Sequence, residues 1–306
     1  MNRLFLSIVA AAVVLIGGNS AVTADIVIAN SFDGSETGFT TGFTGGNFNS
    51  ISGLSFGDLT VSGGAIQRPS RSGNAATTAT VNSTGLTADL STLYFSVLLQ
   101  GTGAPASGDS GTAGFATNSF GTVIFGDTGL TGGSGVAPAP IGAGGNAIGV
   151  GFLGGNGGNF ADLQVQGVVY EGGVVTTTTD ALSPTVGGTS PVLLLGSVDF
   201  NPLGTDDVLT LYNLSTAEVG DTANGVTGSG VLPAAFSTLT GDFNQSTFNI
   251  VSIGDAQTSI YDEIRFSDSI EHVLPGTAFA ATAVPEPTSL AMIGMFGMGL
   301  LARRRR

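Results

Sequence analysis

The chain has 306 residues, of which 50 are Gly, 42% are apolar and only 10% are charged, and it contains no Cys and no Trp. Without Cys, disulfides, thiolate metal sites and thiol catalysis are excluded. All eight basic residues are Arg, and residues 25–302 hold three of them against 22 Asp and Glu, a formal charge of −19, so nucleic acid is not expected as a partner.

The N-terminus has the three parts of a signal peptide. Arg3 gives a positive start, an apolar segment of 13 residues follows at 4–16, and small side chains stand at Val22 and Ala24. We therefore predict that signal peptidase cuts between Ala24 and Asp25, which removes residues 1–24 and exports the rest. The alternative is a retained membrane helix, but the apolar segment is shorter than the roughly 17 to 25 residues that span a bilayer.

Residues 25–283 are predicted to form one all-β domain. Short apolar segments alternate with stretches of Gly, Asn, Asp, Ser and Pro, which is typical of many strands joined by turns. About a dozen strands in one domain indicate a sandwich or a barrel. The stretches 101–113 and 129–145 have little apolar bulk and are predicted to be surface loops. The predicted strands are 25–29, 93–99, 121–125, 147–153, 162–170, 192–200, 207–214, 247–253 and 259–266.

Two short motifs match enzyme signatures but lack the context that the chemistry needs. Ser110 stands in Gly-Asp-Ser-Gly at 108–111, the nucleophile sequence of trypsin-like proteases, yet the only His, His272, follows this Ser instead of preceding it. The segment 149–154 fits the dinucleotide fingerprint, which requires a helix to follow. Gly and Asn follow here, so we predict a strand that ends in a glycine turn.

The last predicted strand, 259–266, alternates between two kinds of side chain. Successive residues of a strand point to opposite faces, so we expect the more apolar face to lie in the core. Glu263 and Arg265 share the other face, where a weak ion pair is expected. The predicted core face holds Ile260, Ile264 and Phe266 with Asp262 as its polar exception, and the other face holds Tyr261, Glu263 and Arg265.

Five of the segments, taken in order, resemble successive strands of concanavalin A-like, laminin G-like jelly rolls. They are 93–99, 148–152, 192–200, 206–212 and 261–266, and in this family the closing strand often has the Asp-Glu-Ile-Arg pattern found at 262–265. The resemblance implies a jelly-roll sandwich and permits sugar binding, the best-known role of the family. The residues themselves do not indicate it, because the chain has no Trp and only four Tyr for stacking on sugar rings.

The acidic residues are candidate catalysts and candidate metal ligands. Glycosidases of this fold need two carboxylates about 5 to 10 Å apart, and none of the six Glu has the usual spacing to a second acid. Asp262 and Glu263 are adjacent, so structural hydrogen bonding is the favoured interpretation, and we predict no catalytic residue. A Ca²⁺ ion remains an alternative to solvated turns for four acids near strand ends, namely Asp33, Asp199, Asp206 and Asp207.

The C-terminus, 284–306, resembles the PEP-CTERM sorting signal. Pro285, Glu286 and Pro287 form its motif, and a basic tail ends the chain. Between them the apolar segment 290–302 is predicted to be a short transmembrane helix. The basic tail consists of Arg303, Arg304, Arg305 and Arg306, which favour the cytoplasmic side of a membrane. The resemblance implies cleavage near the motif by an exosortase. The alternative is a membrane anchor that is never cut.

Together these features predict an exported protein, not an enzyme. It would pass through an inner-membrane intermediate to the cell surface or the extracellular matrix of a biofilm. The first hypothesis for the body is a structural or adhesive β-sandwich without a cofactor. The alternative is a lectin-like module that binds exopolysaccharide, with or without the help of Ca²⁺.

Overall fold

The computed structural model describes residues 27–32, 34, 36–56, 63–68, 75–88, 91–100, 119–130, 144–155, 159–177, 190–201, 206–214, 232–242, 244–255 and 259–273. The predicted signal peptide, the predicted sorting signal with its predicted helix, the predicted loop 101–113 and most of the predicted loop 129–145 lie outside these residues. Within them, no helix is long and apolar enough to cross a membrane.

The described part of the chain consists of fourteen β-strands and two short 3-10 helices, at Gln245–Thr247 and Ile270–His272. The strands are β1 Val27–Asn30, β2 Asn49–Ser52, β3 Gly64–Gln67, β4 Ala75–Thr80, β5 Thr92–Gln100, β6 Ser119–Gly126, β7 Ala147–Gly155, β8 Asn159–Glu171, β9 Val174–Thr177, β10 Val192–Asp199, β11 Asp207–Leu214, β12 Ser237–Gly241, β13 Ile250–Asp255 and β14 Ile260–Ser267.

The strands form two antiparallel sheets. The larger sheet has the order β12-β11-β10-β5-β14-β3-β2, with β1 also paired to β14, and the smaller has the order β4-β13-β6-β7-β8-β9. The chain changes sheet several times, so neighbours such as β5 and β14 come from distant parts of the sequence. This crossing between two facing sheets is that of a jelly-roll sandwich, which confirms the predicted fold class.

The core lies between the two sheets and consists mainly of buried Leu, Val, Ile and Phe. Phe125 of β6 contacts Phe266 of β14 with ring centroids 5.0 Å apart, and Phe95 of β5 contacts the same ring at 5.9 Å. Such aromatic pairs contribute about 0.5 to 1.5 kcal/mol beyond their buried area. Gly196 of β10 leaves room for this packing, because a Cβ there would lie 2.2 Å from the Phe95 ring.

All nine predicted strands are present, with shifted ends, but five strands were not predicted. These five are short: β2, β3, β4, β9 and β12. Three of them, β2, β4 and β12, consist mostly of Gly, Ala, Ser, Thr or Asn. They lie at or near the sheet edges, where strands are often short and less apolar, so their sequences give little apolar alternation. Residues 245–247, of which Thr247 was predicted to start a strand, form a 3-10 helix instead.

Strand β14 contains a β-bulge. It advances three residues from Asp262 to Arg265, while its partner β5 advances only two, from Leu98 to Ser96. Glu263 within the bulge has a φ of +47°, a left-handed conformation that costs a non-Gly residue on the order of 1–2 kcal/mol. The surrounding contacts must outweigh this cost.

Because of the bulge, the side chains of β14 do not all point to the faces predicted for them. Because one extra residue reverses the alternation, Tyr261 joins Ile264 and Phe266 in the core, whereas Ile260 lies in an apolar cluster on the other side of the sheet. The prediction that Ile260 shares a face with Ile264 and Phe266 is therefore wrong.

Candidate functional site

The outer face of the larger sheet, the side turned away from the core, has a covered half. An apolar cluster there includes Leu98 of β5 and Leu193 of β10, and Leu54, Phe56 and Val273 pack over it from other segments. This half is closed by the chain's own side chains and is unavailable to a ligand.

The adjoining part of the outer face carries two half-buried tyrosines, Tyr94 and Tyr212, which pack against the edge of this apolar cluster. Ser197 of β10 pairs with Tyr94 of β5 on one side and with Thr210 of β11 on the other, and Tyr212 lies one side-chain step along from Thr210. Neighbouring strands are about 4.8 Å apart, so the two tyrosine-bearing strands are about 10 Å apart with the small Ser197 between them. We call Tyr94, Ser197, Thr210, Tyr212 and Asp199 the tyrosine surface.

A hydrogen-bonded acid stands at the end of the tyrosine surface. Asp199 is exposed, and its Oδ1 accepts a hydrogen bond from Thr92 Oγ1 at 2.7 Å. Burial, and then the negative charge of Asp199 and the nearby Tyr212, raise the pKa of Tyr94 above its usual value of 10. The phenol therefore stays protonated at neutral pH and can donate a hydrogen bond. Aromatic faces, a phenol donor and a carboxylate acceptor together suit a ligand rich in hydroxyl groups.

The acids predicted as Ca²⁺ ligands are not brought together. Asp33 lies outside the described residues, and Asp206 is exposed. Asp199 belongs to the outer face, whereas Asp207 is 5% exposed, points to the inner face and accepts a hydrogen bond from the Asn201 N–H at 3.0 Å. In the described parts of the chain, no group of three or more His, Asp or Glu side chains could hold a metal ion.

Asp262 is occupied by structural contacts at the bulge. Its Oδ2 accepts a hydrogen bond from the Leu54 N–H and its Oδ1 accepts one from the Glu263 N–H, each at 2.8 Å. Burial raises the pKa of Asp262 to about 7, against the opposing effect of these backbone donors. Such a shift is also seen in catalytic acids, but Asp262 is 0% exposed and cannot reach a substrate.

Glu263 and Arg265 form the predicted ion pair, but in a different environment. Glu263 Oε2 accepts hydrogen bonds from Arg265 Nε at 2.8 Å and from Nη2 at 2.5 Å. The two side chains are only 1% and 8% exposed, so the expectation of a weak surface pair is wrong. Asp262 and Glu263 both make hydrogen bonds within the fold, as expected of structural acids.

A second buried polar cluster was not predicted from the sequence. Arg68 Nη1 donates to the Asp255 carbonyl oxygen at 2.6 Å, and the Tyr261 hydroxyl donates to Asp255 Oδ2 at 3.2 Å. Burial, and then the Asp255 charge, raise the pKa of Tyr261 well above 10. The one available signal was the scarcity of Arg, because only three occur between residues 25 and 302.

Of the two enzyme-like motifs, one lies outside the described residues and the other is part of a β-hairpin. Ser110 lies outside them, and His272 ends a short 3-10 helix. The glycine-rich segment 149–154 lies within β7, which pairs with the antiparallel strand β8. The chain therefore continues as a hairpin at this point, and the helix that a dinucleotide site requires does not follow.

No protein family and no curated protein matches the sequence. Among solved structures, a protein of unknown function from Shewanella oneidensis MR-1 is 16% identical with a TM-score of 0.42, over 81% of this chain and 88% of the other. Peanut lectin in complex with a nine-residue peptide is 13% identical with a TM-score of 0.38, over 80% and 97%. Basic winged bean lectin with Tn-antigen is 13% identical with a TM-score of 0.38, over 79% of this chain and 98% of the other.

Proposed function

We propose that this chain is an exported, non-catalytic structural or adhesive β-sandwich of the cell surface or extracellular matrix. The single observation that carries the non-catalytic part is the engagement of its buried carboxylates. Asp262 is fixed by two backbone N–H groups and Glu263 by Arg265, and neither is accessible to a substrate. These contacts hold the bulged strand in place instead of serving a reaction.

Export and sorting rest on the two chain ends. The signal peptide 1–24 would be removed by signal peptidase, and the PEP-CTERM-like tail would be cut near Pro285, Glu286 and Pro287 by an exosortase. The apolar segment 290–302 and its Arg tail would hold the intermediate in the inner membrane until that cut.

Mass spectrometry of the protein recovered from the cell surface tests this processing. We expect a chain that starts at Asp25 and ends between Pro285 and Pro287, since the mature form should have lost both apolar ends. Surface material that retains Arg306 would show that the tail is an uncut anchor.

A second function, binding of exopolysaccharide, is favoured by the tyrosine surface. Tyr94 and Tyr212 present half-buried rings on either side of Ser197, and the exposed Asp199 lies at the end of the same face. Stacking on a sugar face and hydrogen bonding to its hydroxyls are the two interactions that these groups supply.

The variant Tyr94→Ala is expected to weaken polysaccharide binding about tenfold, because it removes one ring and its donor, worth roughly 1–2 kcal/mol. A glycan array followed by titration of the best ligand measures this. Phe48→Ala, which removes a half-buried ring remote from this surface, is the control and should bind normally. Equal loss in both variants would mean that damage to the fold explains the result.

The same array with a chelator separates a Ca²⁺-assisted lectin from a metal-free one. We expect binding to persist after chelation, because the described acids do not converge on a metal site. Binding that disappears with the chelator would instead support a Ca²⁺-dependent module.

A further inference from the structure

The tyrosine surface adjoins an acidic end of the larger sheet. Asp199 ends β10, Asp206 stands directly before β11, and Asp242 stands directly after β12. All three acids are exposed. The register of β10 with β11 and of β11 with β12 brings these three strand ends together at the same end of the sheet. A ligand that lies on the tyrosine surface is therefore close to several negative charges.

Basic side chains do not offset these charges in the described part of the chain. The sequence has no Lys, and the two Arg side chains among the described residues, Arg68 and Arg265, are both buried. Residues 25–302 carry a formal charge of −19. An anionic polysaccharide is therefore repelled both by this end of the sheet and by the chain as a whole.

The groups of the tyrosine surface favour a positively charged ligand. The face of a Tyr ring attracts an ammonium group that lies within about 6 Å of the ring centroid, and Tyr94 and Tyr212 lie on either side of Ser197. Asp199 pairs with Thr92, which is one side-chain step along β5 from Tyr94. Asp199 Oδ1 accepts the Thr92 hydroxyl, and Oδ2 accepts no hydrogen bond from the described residues, so it can accept one from a ligand.

We propose that the polysaccharide recognised by the tyrosine surface contains amino sugars whose amino groups are free and therefore positively charged. This inference rests on the second function proposed above, the binding of exopolysaccharide. An ammonium group would donate a hydrogen bond to Asp199 and lie against a Tyr ring. The acids of the described residues do not converge on one metal ion, and separate ammonium groups along a polymer suit such spaced charges. N-acetylated sugars would keep the stacking and lose the charge.

Titration calorimetry of the full chain with three oligosaccharides of equal length tests the proposed ligand class. The first is a glucosamine oligosaccharide with free amino groups, the second is its fully N-acetylated form, and the third consists of uronic acids. We expect the wild type to bind the free amine at least about tenfold more tightly than the acetylated form. The uronic acid oligosaccharide should bind weakest. The preference for the amine should decrease as the salt concentration rises, because exposed charges are screened.

Two variants show whether the tyrosine surface or the overall charge sets this preference. Asp199→Asn and Glu171→Gln each remove one negative charge, and Glu171 is exposed at the end of β8 in the smaller sheet. We expect Asp199→Asn to lose most of the preference for the free amine and Glu171→Gln to keep it. Circular dichroism confirms that both variants are folded.

The possible failures of the two proposals differ. Equal affinity of the wild type for the free amine and the acetylated form, or equal loss of the preference in both variants, would overturn the amino-sugar inference and leave polysaccharide binding in place. Binding of none of the three oligosaccharides would overturn both proposals.

Discussion

Replacing Arg265 with Ala is expected to lower the free energy of unfolding by about 3–5 kcal/mol. Arg265 holds Glu263 through two hydrogen bonds, and the two side chains are 8% and 1% exposed. Removal of the guanidinium would leave a buried carboxylate without its cation at a position that is already in a left-handed conformation. The bulge that sets the facing of Tyr261 and Phe266 would lose one of the side-chain contacts that fix it.

Urea unfolding of the wild type and three variants measures the effect. Arg265→Ala should shift the midpoint to lower urea with little change in slope. The double variant Glu263→Gln/Arg265→Met removes both charges. It is expected to lose less unfolding free energy than Arg265→Ala, because no unpaired charge remains buried. The unfolding free energy of Arg265→Lys should lie between those of the wild type and Arg265→Ala. Lys keeps the positive charge, but its ammonium cannot form the two-bond geometry of the guanidinium. A loss under about 1 kcal/mol in Arg265→Ala would be that of a solvated surface pair and would contradict the buried pair.

Asp262 is expected to make the protein more stable at acidic than at neutral pH, relative to a variant that cannot ionise. Its pKa is about 7 in the folded chain against 3.8 in the unfolded chain, so the folded state binds the proton more tightly. The stabilisation is therefore fully present below about pH 4 and is lost as the pH rises through 7. The three-unit shift corresponds to on the order of 4 kcal/mol at most.

The comparison of wild type with Asp262→Asn isolates this contribution. The amide does not titrate and its oxygen can still accept one of the two backbone hydrogen bonds, so the difference in unfolding free energy between the two proteins should change between pH 4 and pH 7. Wild type should lose stability relative to the variant across that range. Other acids titrate in both proteins and cancel in the difference. A difference that does not change with pH would mean that burial does not shift the pKa of Asp262.

The central strands could be predicted from the sequence because most of their side chains are apolar and buried. β5, β10 and β11 have enough Leu, Val and Phe to indicate a buried face, and both sheets need such strands in their middle. Edge strands such as β2 and β12 are short and polar, so nothing distinguishes them from loops. Their existence depends on pairing with a neighbour that is distant in the sequence.

The bulge could not be predicted from β14 alone. Its alternation suggests a regular strand, and the reversal becomes visible only when Asp262 and Arg265 are set against Leu98 and Ser96 of β5. The burial of the Glu263–Arg265 ion pair could not be predicted from β14 alone either. Spacing correctly placed the two side chains near each other, but their burial is decided by segments packed over the sheet, among them Leu54 and Val273.

The tyrosine surface was missed because its parts lie in three strands. In β5, Tyr94 alternates with buried Leu93 and Phe95, and in β11, Tyr212 follows buried Leu211. This alternation was a usable signal that both rings face away from the core. The sequence could not show that β10 brings the two strands to the same face with Ser197 between them.

We propose a sandwich that does not cleave polysaccharide and, as the second candidate function, a tyrosine surface that binds it. The most direct test of both is to incubate the extracted matrix polysaccharide of the producing cells with the wild-type protein and with the double variant Tyr94→Ala/Tyr212→Ala. Bound polysaccharide and new reducing ends are then measured in the same samples. The account predicts that the wild type retains polysaccharide, that the double variant retains little, and that neither generates reducing ends. Reducing ends that appear with the wild type, or equal retention by both proteins, would contradict it.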